Sequence, residues 1–210
     1  MKNMTIEAFA KQTASNDPVP GGGSISALAG ALAAALADMV GGLTVGKEKY
    51  KEAEAEMQEA MPKMKAVMEE LLIDIKKDSE SFDLFMQALT LPKETEAEKE
   101  ARTAAMQNGL KEAVRVPLSV AKKSASILPV AELMVTKGNA TAVTDALVAT
   151  MMARTAVLGA LFNVRINLAS INDEAFVASI SAEADELEKQ VIVYEKKIMA
   201  QSVVSVSAAV

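Results

Sequence analysis

The chain contains no histidine and no cysteine. The usual general base, the usual metal ligand, thiolate nucleophiles and disulfides are therefore ruled out at once. Any acid–base chemistry must come from Asp, Glu, Lys or Tyr. One carboxylate stands out by its spacing. From Glu48 to about Leu89 the apolar residues run Tyr50, Ala53, Met57, Met61, Met64, Met68, Leu71, Ile75, Phe82, Phe85 and Leu89. Helical steps dominate this run. Between Ile75 and Phe82 the stripe position is Asp78. A carboxylate on a core-facing stripe has its pKa raised by desolvation and can hold or take a proton near neutral pH. The structural alternative is an Asp satisfied by a backbone or arginine partner, or one turned to the surface.

A second feature can seat a ligand. Pro18-Val19-Pro20-Gly21-Gly22-Gly23-Ser24 leads into a nearly uncharged run from Ile25 to Val45. Glycine lets another group approach the main chain closely. Ser24 is a good N-cap for the helix that follows. The first amides of a helix lack internal partners, so this lead-in suits an anion or a carbonyl oxygen. The plainer reading is a flexible loop with a cap. It is not a dinucleotide fingerprint, because no strand pattern precedes Gly21. Nor is it a nucleotide P-loop, because Gly23 is followed by Ser24 and Ile25 instead of Lys and Ser/Thr.

Other polar residues have two readings each. Asp145 can serve a site, or it complements the dipole in the first turns of its helix. Asn163 and Asn167 can bind a planar heterocycle through their amides, or tie helices together. Lys47, Lys49, Lys51 and Tyr50 suit an anionic substrate tail, or form a solvated helix start. The methionines read as core filler.

These residues must be positioned by helices. Thr5 to Ala14 is predicted as a short amphipathic helix. Ser24 to about Leu43 is a wholly buried one, with Gly30, Ala33, Ala34, Ala37 and Gly41 at helical spacing and Gly41-Gly42 and Gly46 at its end. The helix after Glu48 would reach roughly 60 Å if unbroken, and Pro62 is expected to kink or divide it. Thr95 and Glu98 form a capping box. Pro117 and Pro129 bend or interrupt the helix beyond, and Gly138 closes it. Asn139 opens a second nearly all-apolar helix, to about Ser170. The last helix starts near Asn172-Asp173, with Phe176, Ile180, Ala184, Leu187, Val191, Tyr194 and Ile198 as its stripe. No strands are needed. The expected fold is an all-α bundle of about six to eight helices around two Ala/Gly-rich central ones, as a single domain over 1–210 with a frayed tail at 201–210.

Composition agrees. Of 210 residues half are apolar but only 3% aromatic, so Ala, Met, Leu and Val must do the packing. A net charge of −6 argues against nucleic acid. Ile25 to Val45 is long enough to span a membrane, but Asp38 and its Ala/Gly content favour a soluble helix. Met1 to Ala10 mixes Lys2, Glu7 and Phe9 instead of forming a signal peptide, so a cytoplasmic location is expected. Helices apolar on all sides also call for self-association.

Taken together, several motifs resemble one family. They are Asp17-Pro18 to Ala29, Met39-Val40-Gly41, Leu43-Thr44-Val45-Gly46-Lys47, Asp78-Ser79-Glu80-Ser81-Phe82 and Leu91-Pro92-Lys93-Glu94-Thr95. Further on come Arg102-Thr103-Ala104-Ala105, Val116-Pro117-Leu118, Gly138-Asn139, Thr144-Asp145, the stretch from Phe162 to Leu168, and Asp173-Glu174-Ala175-Phe176. This pattern resembles the cyclodeaminase domain of formiminotransferase-cyclodeaminase and the stand-alone methenyltetrahydrofolate cyclohydrolases related to it. Thr144 stands where the family often has Ser. The resemblance implies an all-helical homodimer with a folate pocket in a crevice between helices and subunits. It implies that Asp78, opening the D-x-E-x-F motif, is the catalytic acid–base. The substrate-binding set expected from the residues and the resemblance together is Pro20, Gly21, Gly22, Gly23, Ser24, Lys49, Tyr50, Asn139, Asp145, Asn163 and Asn167.

The implied reactions act on the one-carbon bridge between N5 and N10 of tetrahydrofolate. A cyclohydrolase adds water to the methenyl carbon and opens the ring to 10-formyltetrahydrofolate. A cyclodeaminase closes the ring on a formimino carbon and releases ammonia. Neither needs a metal or a tightly bound cofactor. No formiminotransferase domain is attached, so channelling from a fused partner is not expected. The rival expectation is a non-catalytic helical binding module.

Overall fold

The computed structural model describes residues 3–202 and 204, so most of the tail expected to fray lies outside the described residues. Among them there are seven α-helices and no strand: α1 Ile6–Thr13, α2 Gly22–Gly42, α3 Glu54–Leu89, α4 Glu96–Ala125, α5 Leu128–Lys137, α6 Val143–Leu168 and α7 Glu174–Gln201. Two 3-10 turns, Glu48–Ala53 and Ala140–Ala142, lead into α3 and α6.

Local chemistry sets the helix ends. Thr95 Oγ1 accepts from the Glu98 amide at 3.2 Å, and Glu98 Oε2 accepts from the Thr95 amide at 2.8 Å. This is the expected capping box before α4. Asp173 Oδ1 caps α7 by accepting from the Phe176 amide at 3.0 Å. Past α2, Gly46 takes a φ of 77°, which only glycine adopts readily. Pro62 neither divides α3 nor ends it; the helix runs 36 residues, about 54 Å. Pro117 is likewise held inside α4, whereas Pro129 stands at the start of α5, where its missing amide costs nothing.

Helices α2, α3, α4 and α6 form a four-helix core in which each neighbour runs antiparallel. Down the length of α2, Gly23 meets Asp78, Gly30 meets Leu71 and Gly41 meets Met61, all on α3. On its other side Gly22 meets Asn163 and Gly159 meets Ser26, so α6 runs back along α2. Helix α7 lies outside on α6, joined by Arg165 to Asp185 at 2.8 Å. Helix α5 is tied to α7 by Glu132, which accepts from Tyr194 and Gln201, each at 2.8 Å.

The expectation that α2 is wholly buried needs correction, and the nearly all-apolar helix after Asn139 behaves as α2 does. Each is long and apolar enough to cross a membrane, yet only 56% of the α2 span and 50% of the Ala140–Leu168 span is buried. Both bury one side in the bundle and leave the other uncovered. Ile25, Leu32 and Met39 on α2 are exposed, with Val148 and Met151 on α6. Phe162 at 64% and Ile166 at 71% exposure complete one apolar face shared by the two helices. An open apolar patch of this kind marks an interaction surface.

Gly30 marks a close approach in the middle of the core. A β-carbon there would lie 2.5 Å from Ser124 Oγ and 3.0 Å from Leu71 Cδ1. Gly30→Val is expected to lower the unfolding free energy by about 2 kcal/mol in urea titration. Gly42→Ala, whose β-carbon would meet only Met61 Cε at 3.7 Å, should change it little.

Candidate active site

The glycine stretch is not a flexible lead into a helix. Gly21 is the N-cap, and Gly22, Gly23 and Ser24 are already the first three residues of α2. Ser24 as N-cap is therefore corrected, because the helix begins earlier than the side-chain chemistry predicts. Pro20 before it is buried. Asp78 reaches this helix start from α3. Its Oδ2 accepts from Ser24 Oγ at 2.9 Å, and the Ser24 amide donates to the same carboxylate. The orphan amides of α2 thus already serve an anion, and that anion is the protein's own side chain.

Gly23 makes this contact feasible. A β-carbon on it would overlap Oδ1 and Cγ of Asp78. Its φ is not positive, so the reason for glycine is space and not backbone conformation. Next to it, Gly22 lies against the Asn163 amide, whose Nδ2 donates to Gly159 O at 2.9 Å. Asp78, Asn163 and the first turn of α2 therefore meet at one end of the bundle.

Burial raises the Asp78 pKa above its ordinary 3.8, and the two Ser24 hydrogen bonds oppose that rise without cancelling it. The carboxyl stays partly exposed. A group poised this way suits proton transfer to a bound ligand.

The remaining expected site residues lie elsewhere in the chain. Asn167 Nδ2 donates to Ala113 O at 2.9 Å and ties α6 to α4, which is its structural reading. Tyr50 and Asn139 meet at the far end of α2. Tyr50 Oη accepts from the Ala140 amide at 3.0 Å and donates to Asn139 Oδ1 at 3.3 Å. Asn139 Nδ2 donates to Leu43 O at 3.0 Å. The Lys49 ammonium stands 5.4 Å from the Tyr50 ring centroid. The Ala140 amide, and then Lys49 and Lys47, lower the Tyr50 pKa. A cavity of about 730 Å³ opens here, lined in part by Lys49, Tyr50, Glu56, Lys137 and Val143. Asp145 sits in the first turn of α6 at this same end. It shares a helix face with Asn163, about 27 Å away along α6. Within one chain, then, the structure does not bring Lys49, Tyr50, Asn139 or Asp145 to Asp78; the length of α2 separates them by about 30 Å.

One polar pair escaped the sequence reading. Asp74, 2% exposed, is held by Lys123 Nζ at 2.6 Å from α4. It lies one turn before Asp78 on the same stripe, and its four-residue spacing from Asp78 was the available signal. It pins α3 to α4 and leaves Asp78 unaffected, since no charged group contributes to the Asp78 shift.

Gly23→Ala should drive the Asp78 carboxyl from its seat. The expected outcome is unchanged helical circular dichroism with activity reduced at least about a hundredfold. Ala in place of Gly22, whose β-carbon would meet the Asn163 side-chain amide at 3.2 Å, should cost far less.

Comparison with known proteins places the fold in a family. The formiminotransferase-cyclodeaminase family profile matches residues 5–186. Methenyltetrahydrofolate cyclohydrolase of Methylorubrum extorquens is 38% identical over 174 residues, which is 83% of this chain and 84% of that protein. Formimidoyltransferase-cyclodeaminase of Gallus gallus is 38% identical over 176 residues, but the match covers only 32% of that longer protein. Among solved structures, formiminotetrahydrofolate cyclodeaminase of Thermotoga maritima superposes with a TM-score of 0.86 at 30% identity, covering 95% of this chain and 96% of that one. A helical bundle that seats an aspartate on a glycine helix start, matched over nearly its whole length in sequence and in shape, belongs to the formiminotransferase-cyclodeaminase family.

Proposed function

We propose that the chain is a methenyltetrahydrofolate cyclohydrolase, converting 5,10-methenyltetrahydrofolate and water to 10-formyltetrahydrofolate. The observation that carries this reading is the partly buried Asp78 seated on Gly23 and Ser24. The relative matched over 84% of its own length is a methenyltetrahydrofolate cyclohydrolase, which supports the choice of reaction.

In this mechanism the ionised Asp78 faces the cationic methenyl bridge and draws a proton from the attacking water. Oxygen bonds to the bridge carbon, giving a tetrahedral adduct. The carbon–N5 bond then breaks as the adduct hydroxyl loses its proton. N5 takes up a proton, the formyl group stays on N10, and one proton is released overall. Asp78 is the group that carries protons between these positions. Asn163, beside Gly22, offers an amide to the edge of the pterin. No tightly bound cofactor enters this scheme.

The second reading is a formimidoyltetrahydrofolate cyclodeaminase, favoured by the solved relative from Thermotoga maritima. The methenyl absorbance band separates the two. Its loss indicates hydrolysis, and its appearance from the formimino compound indicates deamination. Silence with both substrates would favour a non-catalytic module.

The working form in this reading is a homodimer closed by the α2–α6 apolar face. In this dimer the two-fold axis runs perpendicular to α2 and α6 through the midpoint of the face, which sets one chain's Asp78 end against the partner's Tyr50 end. The two groups of site residues, about 30 Å apart in one chain, would then share a crevice. Lys49 and its neighbours would meet the anionic glutamate tail there. A face so used is not available to a membrane, and a net charge of −6 gives nucleic acid no attraction. We place the enzyme in the cytoplasm with a free folate as its partner.

Three outcomes test this reading. Asp78→Asn should keep the helical fold and reduce kcat about a thousandfold or more. The same variant tests the burial cost. A carboxyl whose folded pKa is raised loses stability as pH rises through that pKa, and regains it toward the unfolded value of 3.8. The Tm of Asp78→Asn should therefore match or exceed that of the parent at pH 8, and the gap should close as pH falls toward 4. Ile166→Asp should convert a dimer to a monomer in light scattering and abolish turnover; a fully active monomer would sink the shared crevice.

A further inference from the structure

We infer that Ser24 is the positioning residue that lets Asp78 hold and release its proton with no heavy atom moving. This rests on the reading of Asp78 as the reacting acid–base. Ser24 is fully buried at the third position of α2. Its hydroxyl does not cap its own helix; it crosses to α3. Its Oγ lies 2.9 Å from Asp78 Oδ2 and 3.2 Å from the Ile75 carbonyl oxygen, with Ser79 Oγ 3.4 Å away.

A hydroxyl has one proton to give and two lone pairs to receive with. When Asp78 is ionised, the Ser24 proton points to Oδ2. When Asp78 carries a proton on Oδ2, the bond reverses: Asp78 donates to Ser24 Oγ, and the Ser24 proton turns to Ile75 O. Each state keeps its buried polar atoms paired, so neither leaves an orphan to disfavour it. The change costs a rotation about one C–O bond. A carboxyl fixed by an amide alone would lack a partner able to reverse.

Among the described residues, α2 brings Gly23 and Ser24 to Asp78, and α6 brings the neutral Asn163 to Gly22 beside it. On α3 itself, Asp74 is closed on Lys123 of α4 and on Lys77. Lys76 is closed on Glu80 at the surface. The influences on Asp78 are burial and Ser24, with no charge among them.

The test compares the full-length parent with Ser24→Ala, Ser24→Cys and the control Ser26→Ala. Ser26 is another buried serine of α2, and its Oγ donates to Gly22 O at 2.7 Å without touching Asp78. The Asp78 carboxyl is followed by carbon-13 titration without substrate, assigned by its absence in Asp78→Asn. Removing a donor that favours the charged form should move the Ser24→Ala titration to higher pH. Ser24→Cys, a weak donor of similar size, should move it the same way by less, and Ser26→Ala should leave it in place. With methenyltetrahydrofolate, the limb of the kcat profile that belongs to Asp78 should move up in parallel. At neutral pH, kcat should fall about tenfold with KM within about twofold. An unmoved titration in both Ser24 variants, or an equal shift in Ser26→Ala, overturns the inference. A shifted titration with an unshifted kcat profile upholds the hold of Ser24 on Asp78 and instead overturns the acid–base role of Asp78.

Discussion

Asp78 and the first turn of α2 constrain each other. The carboxylate needs donors because it is partly buried, and the helix start needs an acceptor because its first amides have none. Gly23 has no side chain because the carboxyl stands where its β-carbon would be. Helix α3 must run close to α2 at this height, which in turn requires Gly30 and Gly41 further along the same contact. The small-residue pattern of α2 follows from one seam, of which the site is the upper end.

The same seam explains the unusual composition. Helices this close leave no room for aromatic side chains, so the core is built from Ala, Val, Leu and Met. Packing of this kind buries one side of α2 and one side of α6 and leaves the other sides apolar. The bundle thus holds the partly buried Asp78 carboxyl at one end of helices whose outer side is uncovered. A partner on that surface would both remove apolar area from water and dry the site, strengthening every electrostatic contact within it.

Much of the helix map was legible in the residues. The Thr95–Glu98 box and the start of the last helix near Asp173 are local devices, and they fall in the structure where their spacing predicts. The stripe that singled out Asp78 was legible for the same reason, since helical period is a property of neighbours in sequence. Where reading failed, the cause was tertiary. Pro62 was expected to kink or divide its helix and Pro117 to bend or interrupt its own, but both helices continue through them. Ser24 was expected to cap its own helix, but α3 offered its hydroxyl a carboxylate and a carbonyl. Asp74 was passed over because its partner, Lys123, is 49 residues away.

By itself, then, the order of residues determined that the chain is helical, which faces are apolar, and that a carboxylate interrupts one of them. Those are consequences of period and capping, which act over a few residues. Only the tertiary structure decided that the carboxylate meets Gly23 and Ser24, and that Tyr50 and Asn139 gather at the opposite end. Such encounters join residues that are distant along the chain, and they depend on how closely two helices can approach. Backbone separation, set by the absence of side chains at a few glycines, is a property of the packed bundle and of no single segment.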